Sequence, residues 1–177
     1  MGYKIIIITF TVKIVALNFM YQFLGNIDVK ADSKGRLFVP ALYRKTLEKS
    51  SEESLYLELD AINKCVKLYP GSVWKKFDDE FKANLNLWDN NDLKLYRQFT
   101  SRVDQVDLDS AGRVLIQKRY LDTIEVETEA LFVGVGEYFE IWSRENFGKS
   151  LLEEEEFDKA KQEKMKNPRK DIQETNK

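Results

Sequence analysis

The chain has 177 residues, 43% of them hydrophobic and 33% charged, enough for one domain or two small ones with a well-solvated surface. Its formal net charge of −2 neither requires nor excludes a nucleic-acid partner, so the placement of charge has to decide. The single cysteine, Cys65, excludes an intramolecular disulfide and fits a reducing cytosol; the absence of histidine removes histidine-based nucleophile systems and histidine-ligated metal sites.

Lys4 to Phe19 is apolar and β-branched. Lys13 interrupts it, its apolar run is shorter than the ~20 residues a spanning helix needs, and no small-residue cleavage site is evident. A segment that reads smoothly onward opens at Met20. Residues 1–19 are therefore expected to be a non-native N-terminal extension, with translation starting at Met20.

From Tyr21 to Val39 the pattern is that of a hairpin. Asp28, Lys30 and Asp32 alternate with Ile27, Val29 and Ala31, as in a half-buried strand. Asp32-Ser-Lys-Gly35 then supplies a turn, because Asp and Ser bond their own backbone and Gly accepts a positive φ. Arg36 opens the return strand. Pro40 starts a short helix over Ala41–Glu48, with Leu42, Tyr43 and Leu47 facing inward and Arg44, Lys45 and Glu48 facing out. Leu55–Leu59 and Cys65–Tyr69 are two further strands. Ser72 is the expected N-cap of a packing helix whose apolar stripe is Val73, Trp74, Phe77 and Phe81.

The second half replays this order. Asn90–Asp92 caps a helix with Leu93, Leu95, Tyr96 and Phe99 as its stripe, and a hairpin follows over 103–116. Asp32, Ser33, Gly35 and Arg36 recur as Asp109, Ser110, Gly112 and Arg113, a fixed offset of 77 that marks an internal duplication. A short helix near Lys118–Asp122 and the strands Ala130–Val135 and Tyr138–Trp142 complete the copy. A last helix is expected over Arg144–Lys164, its Glu153–Glu156 run solvated, before a disordered tail from Lys166. The boundaries implied are a first repeat at 20–84, a second at 85–147 and a C-terminal helix and tail at 148–177.

Arg36 leads the candidate binding residues, because a guanidinium at a hairpin rim pairs with a phosphate or bonds guanine bidentately. Its intramolecular alternative is a pair with Asp32, which could also orient it. Lys30, Lys34, Arg113 and Lys118 complete the candidate DNA-binding set, and Asp32, Gly35, Asp109 and Gly112 are read as turn and support residues. Residues 28–45 hold Lys30, Lys34, Arg36, Arg44 and Lys45 against Asp28 and Asp32, a local balance of +3. Residues 102–119 hold Arg102, Arg113, Lys118 and Arg119 against Asp104, Asp107 and Asp109, a balance of +1. Strand alternation splits Asp104 from Asp107 and Asp109, so no metal site is expected, and Gly134 with Gly136 reads as a turn rather than a phosphate loop.

The tandem Asp-x-x-Gly-Arg hairpins, each followed by a helix and a strand pair ending in Leu68-Tyr69-Pro70 or Ile141-Trp142, resemble the MraZ family of bacterial transcriptional regulators over about Met20 to Phe147. The Val133-Gly-Val-Gly136 loop agrees. The resemblance implies an α+β, mainly β fold: two tandem AbrB-like swapped-hairpin repeats closed into a pseudo-twofold β-barrel, with short peripheral helices. It also implies a homo-oligomeric ring that binds direct repeats in double-stranded promoter DNA, in the cytoplasm at the nucleoid. It implies no cofactor, membrane partner or small-molecule substrate. Gln117 stands where the first copy has Pro40, Asp107 where it has Lys30 and Ala111 where it has Lys34, so equal DNA contributions from the two hairpins are not implied. An antitoxin-type, protein-binding AbrB-like module is the alternative. An enzyme using the carboxylates near Asp107 is the rival class, against which the lack of histidine and of nucleophile–base spacing counts.

Overall fold

A computed structural model of the chain describes residues 22–50, 52 and 54–166. The expected extension at 1–19 and nearly all of the expected disordered tail lie outside the described residues. The described chain belongs to two compact units, one ending at Asn146 and the other beginning at Phe147.

The strands of the first unit are β1 (Asn26–Lys30), β2 (Arg36–Phe38), β3 (Leu55–Asp60), β4 (Cys65–Pro70), β5 (Val103–Val106), β6 (Arg113–Leu115), β7 (Glu129–Gly134) and β8 (Phe139–Trp142). Its helices are α1 (Ala41–Lys49), α2 (Gly71–Ala83), α3 (Asn90–Thr100) and α4 (Lys118–Thr123), with α5 (Arg144–Ser150) starting at its end. The result is a mixed α+β unit built on antiparallel pairing. Six strands lie in the order β1-β7-β8-β4-β3-β5, and β2 pairs with β6 as a separate two-stranded ribbon.

This order differs from two self-contained hairpins. β1 of the first repeat pairs with β7 of the second, Asn26 opposite Val133 and Lys30 opposite Glu129. β5 of the second repeat pairs with β3 of the first, Leu55 opposite Val106. Exchanging the repeats' strand labels reverses the six-strand order onto itself. Each expected hairpin is closed only near its tip, by Asp32 N–H donating to the Arg36 carbonyl at 3.0 Å and Asp109 N–H to the Arg113 carbonyl at 2.8 Å. The strands then part, one into the sheet and one into the ribbon. Burial explains the parting: Leu37 and Val114 face each other in the ribbon, both fully buried, and pairing β2 with β6 puts both in one core.

That core also buries Phe23, Tyr43 and Phe139, whose rings meet at centroid distances of 5.1–5.3 Å. The buried Tyr43 hydroxyl donates to the Gly25 carbonyl at 2.9 Å, which satisfies its polar end. Gly134 lets the Phe23–Gly25 chain approach: Gly134 N–H donates to the Gly25 carbonyl, and a Cβ at Gly134 would overlap the Phe23 backbone. The Gly134-Val-Gly136 stretch thus serves backbone packing, as the turn reading expects.

Pro40 and Gln117 hold the same extended conformation before α1 and α4, φ −51°, ψ 139° and φ −60°, ψ 143°. The missing proline therefore leaves the local path unchanged. Two caps differ from expectation. α2 begins at Gly71 after Pro70, and Ser72 N–H instead donates to the Glu52 carboxylate at 3.3 Å. α3 is capped by Asp89, whose carboxylate accepts from the Asn91 and Asp92 amides. Trp74 stacks between Tyr56 and Phe99 at 5.8 and 5.5 Å, so the aromatic stripes of α2 and α3 are packing devices.

In the second unit the single helix expected over Arg144–Lys164 is two. α5 ends at Ser150, whose hydroxyl donates to the Phe147 carbonyl, and α6 runs over Glu154–Lys166. Glu154, Glu155 and Glu156 occupy the first turn of α6, where the helix dipole favours negative charge. The acidic run that reads as a solvated face thus starts a new helix. Among the described residues, no helix is long and apolar enough to cross a membrane.

Candidate nucleic-acid interface

The duplicated turns have the same construction. In the first, Asp32 Oδ1 accepts the Lys34 and Arg36 amides at 2.9 and 3.0 Å, and Gly35 N–H donates to the Asp32 carbonyl at 2.9 Å. In the second, Asp109 Oδ1 accepts the Ala111 and Arg113 amides at 2.9 and 3.0 Å, and Gly112 N–H donates to the Asp109 carbonyl at 2.8 Å. Gly35 and Gly112 sit at φ +79° and +78°, which an L side chain resists. The bonds that hold each turn use only its backbone and the Asp carboxylate, not the arginine side chain.

The arginines are placed by the same carboxylates. Arg36 Nε and Nη2 both lie 2.6 Å from Asp32 Oδ2. Arg113 Nε and Nη2 lie 2.8 and 2.7 Å from Asp109 Oδ2. The intramolecular pairing expected as the alternative for Arg36 is therefore present, and it occurs twice. It engages Nε and Nη2 and leaves Arg36 Nη1 without an ion partner among the described residues. The Asp32 carboxyl is held below the ordinary carboxylate range by the Arg36 amide, against partial burial, with further help from the Lys34 amide and the Arg36 guanidinium. That of Asp109 is held low by the Arg113 side chain first and its amide second.

The ribbon sets the spacing. Arg36 is opposite Leu115 and Phe38 is opposite Arg113. With Leu37 and Val114 buried, these four side chains share the outer face, where Phe38 and Leu115 are each about half exposed. Arg113 also lies over the Phe38 ring, Cζ to centroid 5.6 Å.

The lysines divide. Lys34 is exposed at the first turn and shares a groove of about 890 Å³ with Lys118, which opens α4. Neither has an ion partner among the described residues. Asp122 and Glu125 line the same groove, so its cations lie beside carboxylates. Lys30 ends β1 and faces Glu129 at 3.7 Å, both largely exposed, a pair of little energetic weight. The structure thus gathers Lys34, Arg36 and Lys118 around the first turn and places Arg113 at the second.

Around the second turn the sequence reading leaves out one neighbour. Arg44, from α1 of the first repeat, donates from Nη1 to the Ala111 carbonyl at 3.1 Å and covers Gly112. At the offset of 77 its counterpart is Leu121, which packs on Gly35. The exchange of Arg44 for Leu121 is visible in the sequence; that each helix covers the other repeat's turn is not. Two of the three carboxylates weighed as metal ligands have other partners: Asp104 accepts from the Tyr120 hydroxyl and from Arg119 at 2.7 Å, and Asp109 from Arg113.

The model of the MraZ protein family matches residues 22–96 and again 99–168. A protein of Bacteroides fragilis named transcriptional regulator MraZ is 41% identical over 150 residues, covering 85% of this chain and 95% of the relative. One of Bacteroides thetaiotaomicron with the same name is 42% identical over 146 residues, 82% of this chain and 94% of the relative. A third, from Methylobacillus flagellatus, is 34% identical over 124 residues, 70% of this chain and 82% of the relative. The two matched segments each contain one of the Asp-Arg turns, and the chain belongs to the MraZ family.

Proposed function

We propose that this protein is a sequence-specific, DNA-binding transcriptional regulator, a repressor acting at direct repeats upstream of the division and cell-wall gene cluster that includes its own gene. The observation that carries the reading is the pair of arginines braced in the same way by their turn aspartates and flanking one two-stranded ribbon. A β-ribbon fits the major groove, and an arginine there bonds guanine O6 and N7. With Nε and Nη2 turned toward Asp32, Arg36 meets the base with its Nη1–Nη2 end. Phe38 and Leu115 offer apolar contact to thymine methyl groups. Lys34 and Lys118 meet phosphates, which position the ribbon without reading sequence.

The names of the relatives support regulation of transcription. The exchanged strands support an AbrB-like swapped-hairpin arrangement closed into a pseudo-twofold barrel, since each repeat's first strand completes the other repeat's hairpin. The family resemblance together with the modest cationic excess of one chain supports a homo-oligomeric ring: several weakly bound copies on repeated sites gain affinity through effective concentration. The role proposed is that of a non-enzymatic protein in the cytoplasm, associated with the nucleoid.

The test is nuclease footprinting of the purified protein on the DNA upstream of its own gene. Regularly spaced protection over direct repeats is expected. Uniform protection without sequence preference, or none, would contradict the reading.

A further inference from the structure

The two turns differ at their tips. The first carries Lys34 and the second, at the matching position, Ala111, both exposed. The helices over them differ in a complementary way. The first turn is covered by Leu121, whose Cδ1 lies 3.3 Å from where a Cβ of Gly35 would be, and the second by Arg44, bonded to the Ala111 carbonyl at 3.1 Å. Besides its braced arginine, each tip therefore has a cation at the matching place, its own Lys34 at the first turn and Arg44 lent by the opposite repeat at the second, while Lys118 adds a further one beside the first.

We propose that Arg44 is a DNA-contacting residue that supplies the second turn with the phosphate contact Lys34 makes at the first; this rests on the DNA-binding reading above. A guanidinium that spends one N–H on a carbonyl keeps its full charge and its remaining donors. The Ala111 carbonyl holds it at the tip, so little side-chain entropy remains to be lost when a phosphate arrives. The groove it lines, about 310 Å³, also holds Glu48, Glu52 and Asp109. Asp109 is occupied by Arg113, so Arg44 is not needed to neutralise it. The second turn then contributes more than its own sequence offers, and the inequality implied by Ala111 is largely removed.

The test measures the dependence of the binding constant on salt, using the full chain and the promoter fragment upstream of its own gene. Arg44→Gln keeps an amide donor for the Ala111 carbonyl and removes the charge. Its slope of log K against log salt should be shallower by ~0.9 for each second turn engaged. Ala111→Lys in the Arg44→Gln background should restore the slope, whereas Ala111→Lys in the parent should add much less, because Arg44 already serves that phosphate. A folded Arg44→Gln with the parent slope would overturn the proposal and leave Arg44 a brace. A full gain of ~0.9 per second turn from Ala111→Lys in the parent would overturn it as well, and that single variant settles this even if Arg44→Gln does not fold. A parent protein that binds no DNA would instead refute the DNA-binding reading, and with it this one.

Discussion

Arg113 reaches across to the first turn: its Nη1 lies 3.9 Å from Asp32 Oδ2 while its Nε and Nη2 hold Asp109. Asp32 therefore has two guanidinium groups on one carboxylate oxygen, and the two turns are coupled through it. Asp32→Ala should loosen both arginines, and Asp109→Ala mainly its own. Thermal melts should show a larger drop in Tm for Asp32→Ala, and arginine side-chain NMR signals should shift at both Arg36 and Arg113 in that variant only.

Gly35 and Gly112 share a backbone conformation but not surroundings. An alanine in the left-handed region costs about 1–3 kcal/mol at either site. At Gly35 the new Cβ would also lie 2.7 Å from the Ile116 carbonyl oxygen, whose own backbone N–H donates to the Gly35 carbonyl. At Gly112 it meets the Arg44 side chain, which can swing aside. Urea denaturation should therefore rank Gly35→Ala as more destabilising than Gly112→Ala, with Gly112→Ala displacing Arg44 and flattening the salt dependence of DNA binding.

Asp60 gives the acid limb of stability a specific origin. Burial opposes its ionisation, but the Asn63 amide, the Lys67 ammonium at 2.9 Å and the Asn63 side chain outweigh it and bring the pKa to about 2. The folded value lies below the unfolded one, so the ionised carboxylate contributes stability above pH ~4, and that contribution is lost as pH falls toward about 2. Asp60→Asn should be less stable at neutral pH and show a flatter loss between about pH 4 and pH 2, as measured by denaturation at fixed pH values.

Lys34→Ala should weaken operator and random DNA alike, because a lysine at a turn tip meets phosphate rather than a base edge. Titrations on both DNAs at two salt concentrations should show the discrimination ratio unchanged and the salt slope shallower by ~0.9 per engaged turn.

Much of this was legible in the chain. Asp32-Ser-Lys-Gly35 and Asp109-Ser-Ala-Gly112 announce their turns because the bonds that build them span at most four residues. Leu55–Asp60 and Cys65–Pro70 are readable as a strand pair because a four-residue turn joins them. The pairing of β1 with β7 is not, since Asn26 and Val133 lie far apart in sequence and only the shared core selects their register. Arg44 is hidden for the same reason: its partner is Ala111 of the other repeat. Asp89 takes the cap expected of Asn90–Asp92, because the residue before the helical run is free to adopt the extended conformation a cap requires.

The central claim is that the Asp-braced arginine turns read DNA sequence. Arg36→Ala, first shown to be folded by circular dichroism, should be titrated by gel shift against the promoter repeats and a scrambled sequence. Loss of a bidentate base contact costs about 1–3 kcal/mol at each engaged turn. Repeated across an oligomer on several sites, that loss should abolish preference for the promoter while weak binding to both DNAs persists. Promoter binding by Arg36→Ala equal to that of the parent, with discrimination intact, would contradict the account.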